Sequence, residues 1–422
     1  MAAMLSISRL TNLRKKVLSY FFLPPLVLFL YPVASGAQTG TFSATGSMTT
    51  ARWGATATLL ANGEVLLEGG QDSSFAVLAS AEVYDPATGT FSATGSMNTS
   101  RFAGQTATLL PNGQVLVAGG LSAGYGDPVP SAELYNPATG TFTATGSMIT
   151  TRDQYTATLL NDGQVLIVGG CFSNTGTGSC QLVAGAEIYN PATGTFSATG
   201  SLITPRYGNS LTLLPNGQVL VAGGLTSPFD TLLASAEIYN PATGTFSATG
   251  SMTTARNSPA ATLLPNGQVL VSGGGSLTAN LTTAELYNPG TGTFNSTGSM
   301  ATANESSTLL LDGQVLVAGG AENSVILATA GLYNPTTGTF SATGSMITAR
   351  LDFLATLLLN GQVLVSGGYG NSGPLASAEL YNIGVPTNKD QCKNGGWMTL
   401  SRPDGSPFKN QGDCIQFVNT GK

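Results

Sequence analysis

The chain has 422 residues, of which only 9% are charged and none is histidine, and its net charge is −6. Ordinary soluble domains carry roughly 25% charged residues, so here Thr, Ser, Asn and Gly cover the surface. That composition excludes a basic nucleic-acid-binding face, and the lack of imidazole excludes Ser-His-Asp and Cys-His catalysis.

The N-terminus predicts an export signal over residues 1–37. Arg14, Lys15 and Lys16 precede an apolar stretch from Val17 to Val33, and Ser35-Gly36-Ala37 supplies small residues for cleavage before Gln38. An uncleaved anchor is the other reading. The apolar run, interrupted by Pro24 and Pro25, is short for a span. Cleavage removes Arg9, Arg14, Lys15 and Lys16 and no acid, leaving 11 basic against 21 acidic residues, or −10. Such a surface predicts no nucleic acid or anionic lipid as partner. The expected location is secreted, cell-surface or periplasmic, without stable membrane insertion after cleavage.

From residue 38 to 384 the chain repeats itself. Gly-Gly doublets fall at Gly69, Gly119, Gly169, Gly223, Gly273, Gly319 and Gly367, about 50 residues apart, which is a propeller-blade period. Each repeat holds four strand-like pieces. In the second, Gln105–Leu110 and Gln114–Ala118 flank Asn112-Gly113, a strong hairpin signal. Ser131–Asn136 and Gly140–Ala144 follow, joined by Asn136-Pro137-Ala138-Thr139. The first outer piece, at Phe42, has no inner pieces before it, and the last third piece, ending near Asn382, has no outer piece after it. Residues 39–48 are therefore expected to complete the seventh blade and close the ring. The predicted fold is all-β: a seven-bladed propeller acting as a monomer.

The Gly-Gly after an apolar strand, then Glu-x-Tyr, a turn, an aromatic, Met and Arg, resembles the kelch repeat. The form Leu-Leu-Pro-Asn-Gly-Gln-Val-Leu-Val resembles the galactose oxidase and glyoxal oxidase branch of that superfamily. The resemblance covers about residues 39–382, with Phe in the outer strand where kelch repeats usually have Trp. It implies a kelch-type propeller. It also raises copper-radical oxidation, for which that branch uses two His, Tyr ligands and a Cys–Tyr link. Three residues after each Arg position, where the branch has His, this chain has Ala55, Gly104, Tyr155, Asn209, Pro259, Ser307 and Phe353. The oxidase reading is rejected and no cofactor or metal is expected. Residues 385–422, with Cys392 and Cys414, resemble a short C-terminal module of exported bacterial proteins, expected to depend on a disulfide. Cys171 and Cys180 form a second local pair, expected to pin the longest loop in an oxidising compartment.

Six repeats place an Arg before the inner strand (Arg52, Arg101, Arg152, Arg206, Arg256, Arg350) and a Glu in the third strand (Glu82, Glu133, Glu187, Glu237, Glu285, Glu379). The sixth repeat lacks both, with Asn304 and Gly331 in their stead. Joint loss favours six internal ion pairs over a ring of Arg gripping an acidic ligand. Candidate chemistry then falls to non-repeated residues. The acids Asp72, Asp127, Asp153, Asp230, Glu305, Glu322 and Asp352 are expected on one face, that of the variable connections. Trp53, Phe102, Tyr155, Tyr207, Asn209 and Phe353 join Asp153 and Asp352 there as candidate ligand-binding residues, alongside Phe75, Tyr125, Phe172, Phe229 and Tyr369. Aromatic faces beside Asp and Asn suit a sugar, although packing of loops and blades is their other reading. The expected function is non-catalytic recognition of a glycan or a protein partner. The alternatives are a carboxylate-based sugar enzyme, such as a mutarotase or lyase, and a purely structural or adhesive protein.

Overall fold

The structure is a computed structural model that describes residues 40–122, 128–174, 179–226, 231–303, 306–384, 389, 392–393, 397, 400 and 408–420. The expected export signal lies outside the described residues. Seven four-stranded antiparallel sheets make up the seven blades. In blade 2, strands a to d run Phe102–Leu109, Val115–Leu121, Ala132–Asn136 and Thr141–Ala144. The inner strands a neighbour one another around the ring, and the seventh meets the first. No helix among the described residues is long and apolar enough to cross a membrane.

Closure follows the sequence-based expectation. Thr41–Ala44 pairs with Ala378–Asn382 as the outer strand of blade 7. Its seam matches every other inter-blade seam. Gly344 N–H donates to the Gly40 carbonyl at 3.0 Å, as Gly298 does to Gly338 at 2.9 Å. Thr343 and Tyr381 share a 2.9 Å hydroxyl contact, as Thr297 and Tyr333 do.

The constant parts of the repeat are explained by packing. Strand b is fully buried because neighbouring blades cover both faces: Val115, Leu116 and Val117 are at most 2% exposed. The Ala-Thr-Gly-Ser run sits against the c–d turn of the next blade. There a Cβ on Gly95 would stand 2.2 Å from the Gly140 carbonyl, so only glycine fits. The same run's threonine hydroxyl meets the tyrosine of the following blade, as Thr94 meets Tyr135 at 2.9 Å.

Each arginine lies 2.8–3.1 Å from the glutamate of its own blade, and all six pairs are buried. In blade 2, Arg101 donates to the Gly119 and Ser131 carbonyls and to Ser131 Oγ. Glu133 accepts from the backbone N–H groups of Asn98 and Thr99, in the connection that leads into strand a. Burial of a charged pair is tolerated only when such hydrogen bonds replace water. The pairs thus bind three strand ends and one connection together.

Two blades depart from the common register. Blade 2 has one extra residue before its inner strand, seen as an irregularity between Phe102 and Gln105. Blade 6 is two residues shorter, with 10 positions from Met300 to Leu310 against 12 from Met252 to Leu264. Equivalence by counting from the Arg position is therefore corrected. Gln105, not Gly104, corresponds to Tyr155 and Asn209. In blade 6, Thr302 stands four residues before the inner strand, where other blades have Arg. Asn304 and Glu305 lie outside the described residues.

Cys171 and Cys180 form a disulfide across the hairpin Cys171–Asn174/Ser179–Leu182 in the b–c connection of blade 3. The second disulfide, Cys392–Cys414, packs with Leu400, Phe408 and Phe417. The C-terminal region contains a helix, Gln411–Thr420, which the all-β expectation lacked. Asn410 Oδ1 caps it by accepting from Asp413 N–H at 2.9 Å.

Candidate functional site at the axial mouth

The site is built from the residues just before the inner strand, three in blades 1, 3, 4, 5 and 7 and four in blade 2. The first forms a bridge to the residue after Gly-Gly: Trp53 to Gln71, Asp153 to Cys171, Tyr207 to Leu225, Asn257 to Gly275 and Leu351 to Tyr369. The second turns the chain at the mouth of the axis. The third inserts into the cleft toward the preceding blade. This three-step pattern sorts the eight candidate binding residues.

Tyr155, Asn209 and Phe353 take the third step. Tyr155 is 4% exposed, and its hydroxyl donates to the Ala118 carbonyl of blade 2 at 2.6 Å. Burial pushes its pKa up to about 12. Asn209 is likewise buried and donates to Thr156 Oγ1 at 2.8 Å. Phe353 packs into the core of blades 6 and 7. All three join blades to one another.

Trp53, Phe102, Asp153 and Tyr207 take the first step. Trp53 is half-buried, edge-on to Phe102 at 4.8 Å and to Tyr369 at 5.5 Å, a cluster that spans blades 7, 1 and 2. Phe102 is buried beneath it. Tyr207 is half-buried. Asp153 is 4% exposed, and burial raises its pKa above the usual carboxylate range. Its Oδ1 lies 3.3 Å from the Cys171 sulfur, which in a disulfide has no proton to donate.

Asp352 takes the second step and is exposed. At this step the backbone is left-handed in blade after blade: Gly54, Ala103, Gln154, Gly208, Ser258 and Asp352 have φ between 41° and 61°. Four of them are not glycine, and a non-glycine residue is strained there. Backbone bonds link the turns around the mouth, from Ala103 to Gly54, Gly208 to Gln154, and Ser258 to Gly208. Gln154 and Ser258 are exposed, as Asp352 is. Neither was a sequence-based candidate. Their signal was there, as polar residues at a step where glycine would relieve the backbone.

The remaining acids divide as well. Asp72 organises its own loop by accepting from Ser74 N–H, Ser74 Oγ and Ala76 N–H. These bonds, the Ser74 hydroxyl foremost, hold its pKa below the usual value. They present Phe75, 56% exposed, at the loop tip. Glu322 is half-buried in the Ala321–Glu322/Val325–Ile326 hairpin. Asp127, Asp230, Tyr125 and Phe229 lie outside the described residues.

Sequence reasoning missed Glu68. It ends strand b of blade 1, where other blades have Ala118, Val168, Ala222, Ser272, Ala318 and Ser366. It is fully buried, and burial pushes its pKa up to about 8. A lone Glu in an otherwise apolar strand was the available signal.

No family model matches the chain, and no curated protein matches it. Solved structures do. One is described as a novel fungal alcohol oxidase with catalytic diversity among the AA5 family, in complex with copper. It is 17% identical with a TM-score of 0.67, over 81% of this chain and 76% of its own. Another, described as the structure of YjhT, is 14% identical with a TM-score of 0.53, over 66% of this chain and 94% of its own. The fold is shared with both.

The donors at the mouth do not fit a copper ion. The chain has no histidine, and the Tyr155 hydroxyl is committed to Ala118. Among the described residues no three His, Cys, Asp or Glu side chains come together as metal ligands.

Proposed function

We propose that this is an exported, non-catalytic recognition protein that binds a glycan or a protein partner at the axial mouth. The observation that carries this reading is the left-handed backbone at Ala103, Gln154, Ser258 and Asp352, equivalent positions of four blades. Such strain costs on the order of 1 kcal/mol or more per residue and clusters where function requires it. It presents an amide, a hydroxyl and a carboxylate to solvent, flanked by the half-exposed rings of Trp53 and Tyr207. Planar polar groups beside aromatic faces suit a sugar or a polar peptide edge. The loops around the mouth are also where the blades differ most, whereas the a–b and c–d turns of the opposite face repeat one design.

A carboxylate-based sugar enzyme is the second reading. It is favoured by the raised pKa of Asp153, although that carboxyl is buried against the disulfide. Two disulfides support export.

A glycan array combined with capture of surface proteins tests the first reading. The variant Gln154→Gly/Ser258→Gly/Asp352→Gly keeps the backbone permissive and removes the three side chains. Loss of binding with thermal stability unchanged or raised is expected. Binding that survives in this variant overturns the assignment, and turnover of a sugar that is lost in Asp153→Asn favours the enzyme.

A further inference from the structure

Three of the clefts between blades, 1/2, 2/3 and 3/4, hold a polar node near the inner strands. Between blades 2 and 3 it is closed: the Tyr155 hydroxyl donates to the Ala118 carbonyl and lies 3.3 Å from Thr106 Oγ1. Between blades 1 and 2 the equivalent side chain is Gln105, whose Nε2 donates to the Glu68 carbonyl at 3.1 Å. Thr56, equivalent to Thr106, donates its hydroxyl to Glu68 Oε1. Leu60 and Leu66 pack with Val115 and Val117 of blade 2. By strand alternation, Thr56, Thr58 and Glu68 face blade 2 as well.

This node is not closed. Arginine Nε atoms aside, six buried side-chain atoms among the described residues have no partner: Trp53 Nε1, Thr58 Oγ1, Glu68 Oε2, Gln105 Oε1, Asn209 Oδ1 and Ser366 Oγ. Three of the six belong to this one cleft, and all three are oxygens. Glu68, Gln105 and Thr58 are 0%, 6% and 8% exposed. Three unmet buried oxygens in one cleft are costly, and each requires a partner.

We propose that the cleft between blades 1 and 2 binds one small monovalent cation, held by Glu68 Oε2, Gln105 Oε1 and Thr58 Oγ1. Carboxylate, amide and hydroxyl oxygens are a hard donor set. The charge decides the valence. One carboxylate and one monovalent ion leave the cleft neutral, whereas a divalent ion would leave an uncompensated buried positive charge. The Nη groups of the nearby Arg52 guanidinium are committed to Glu82, Ser80 and Gly69, leaving only its Nε–H without a partner. On blade 2, Arg101 is committed to Glu133, and the Tyr135 hydroxyl engages Thr94. Half-buried Thr56, on the innermost strand, places the site beside the axis.

The test is thermal unfolding of the full chain near pH 8 in sodium, potassium or tetramethylammonium chloride at equal ionic strength. A saturable rise in Tm with sodium or potassium, absent with tetramethylammonium, is expected. Gln105→Ala should weaken the apparent affinity about tenfold by removing one ligand, and Glu68→Gln should abolish the effect. Equal Tm in all three salts overturns the proposal and leaves Glu68 as a neutral acid that closes the cleft by itself. A cation effect that survives in Glu68→Gln overturns the site.

Discussion

Blade 2 and blade 6 solve the same structural problem in different ways. In blade 2 a full-length connection from the outer strand must be held down, and Glu133 does so by accepting from Asn98 and Thr99 while Arg101 neutralises it. In blade 6 the connection is three residues shorter than in blade 2 and two shorter than the common length, and there is less to hold. Thr302 and Thr329 share a 2.8 Å hydroxyl contact in place of the ion pair. Gly331 sits where Glu133 would, its absent Cβ only 3.1 Å from the Ser341 carbonyl. The pair is therefore a device for tying down a connection, and a blade that shortens the connection dispenses with both members. A ring of arginines gripping an acidic ligand would have no reason to lose its glutamate at the same time.

The largest expected effect breaks this device in one blade. Arg101→Met leaves Glu133 buried and unpaired, and Glu133→Gln leaves Arg101 so. Each should cost about 3–5 kcal/mol. The double variant should cost clearly less than the sum, as read by a double-mutant cycle in urea. Additive losses would mean that the two residues act independently. The reverse change, Gly331→Glu in blade 6, should destabilise with no compensating partner.

A second test contrasts the open cleft between blades 1 and 2 with the closed one between blades 2 and 3. Glu68 has an ordinary pKa of 4.5 when unfolded and about 8 when folded, so the folded state holds its proton more tightly. Its stabilising contribution is full below 4.5 and is lost as pH rises through about 8. Without added sodium or potassium, stability should fall over that window, on the order of a few kcal/mol. Glu68→Gln should flatten the profile. Tyr155→Phe, in the closed cleft, should lower stability without changing the profile's shape between pH 5 and 8, because its phenol titrates near 12.

Much of this architecture was legible because packing writes itself into every repeat. The Asn-Gly turns, the apolar strand b and the unpaired first and last pieces were enough to give seven blades and their closure. The ion pairs were legible because blade 6 loses both partners together. The mouth was less so. Tyr155 and Asn209 looked like ligand contacts because they are polar and vary from blade to blade. Yet their variation serves the clefts between blades, where each side chain meets a different neighbour. One inserted residue in blade 2 and two missing in blade 6 also shift the count from Arg, and sequence spacing alone does not reveal which residue then lines the cleft.

A smaller effect comes from blade 3, where Gly185 stands in place of the serine or threonine of other blades. Arg152 Nη1 still reaches the Gly185 carbonyl at 2.8 Å, but it has no hydroxyl like Ser131 Oγ beside it. A Cβ at Gly185 meets nothing within 4 Å. Gly185→Ser should therefore stabilise the protein by about 1 kcal/mol, through the added hydrogen bond and a less flexible unfolded chain. A neutral or negative change would show that the irregular pairing between Gly185 and Glu187 cannot accept the blade 2 arrangement.

The smallest effect on stability bears most directly on function. Asp352 has φ of 49° at the mouth, where blades 1 and 4 use Gly54 and Gly208. Asp352→Gly removes the cost of holding a side chain in that conformation but adds backbone freedom to the unfolded chain. The balance should fall within about 1 kcal/mol of the parent, on the stabilising side. If the carboxylate faces a ligand, the variant gains or keeps stability while binding falls. If Asp352 serves only the turn, binding is unchanged, and the mouth loses its best argument for recognition, because strain there would then have no function to maintain it.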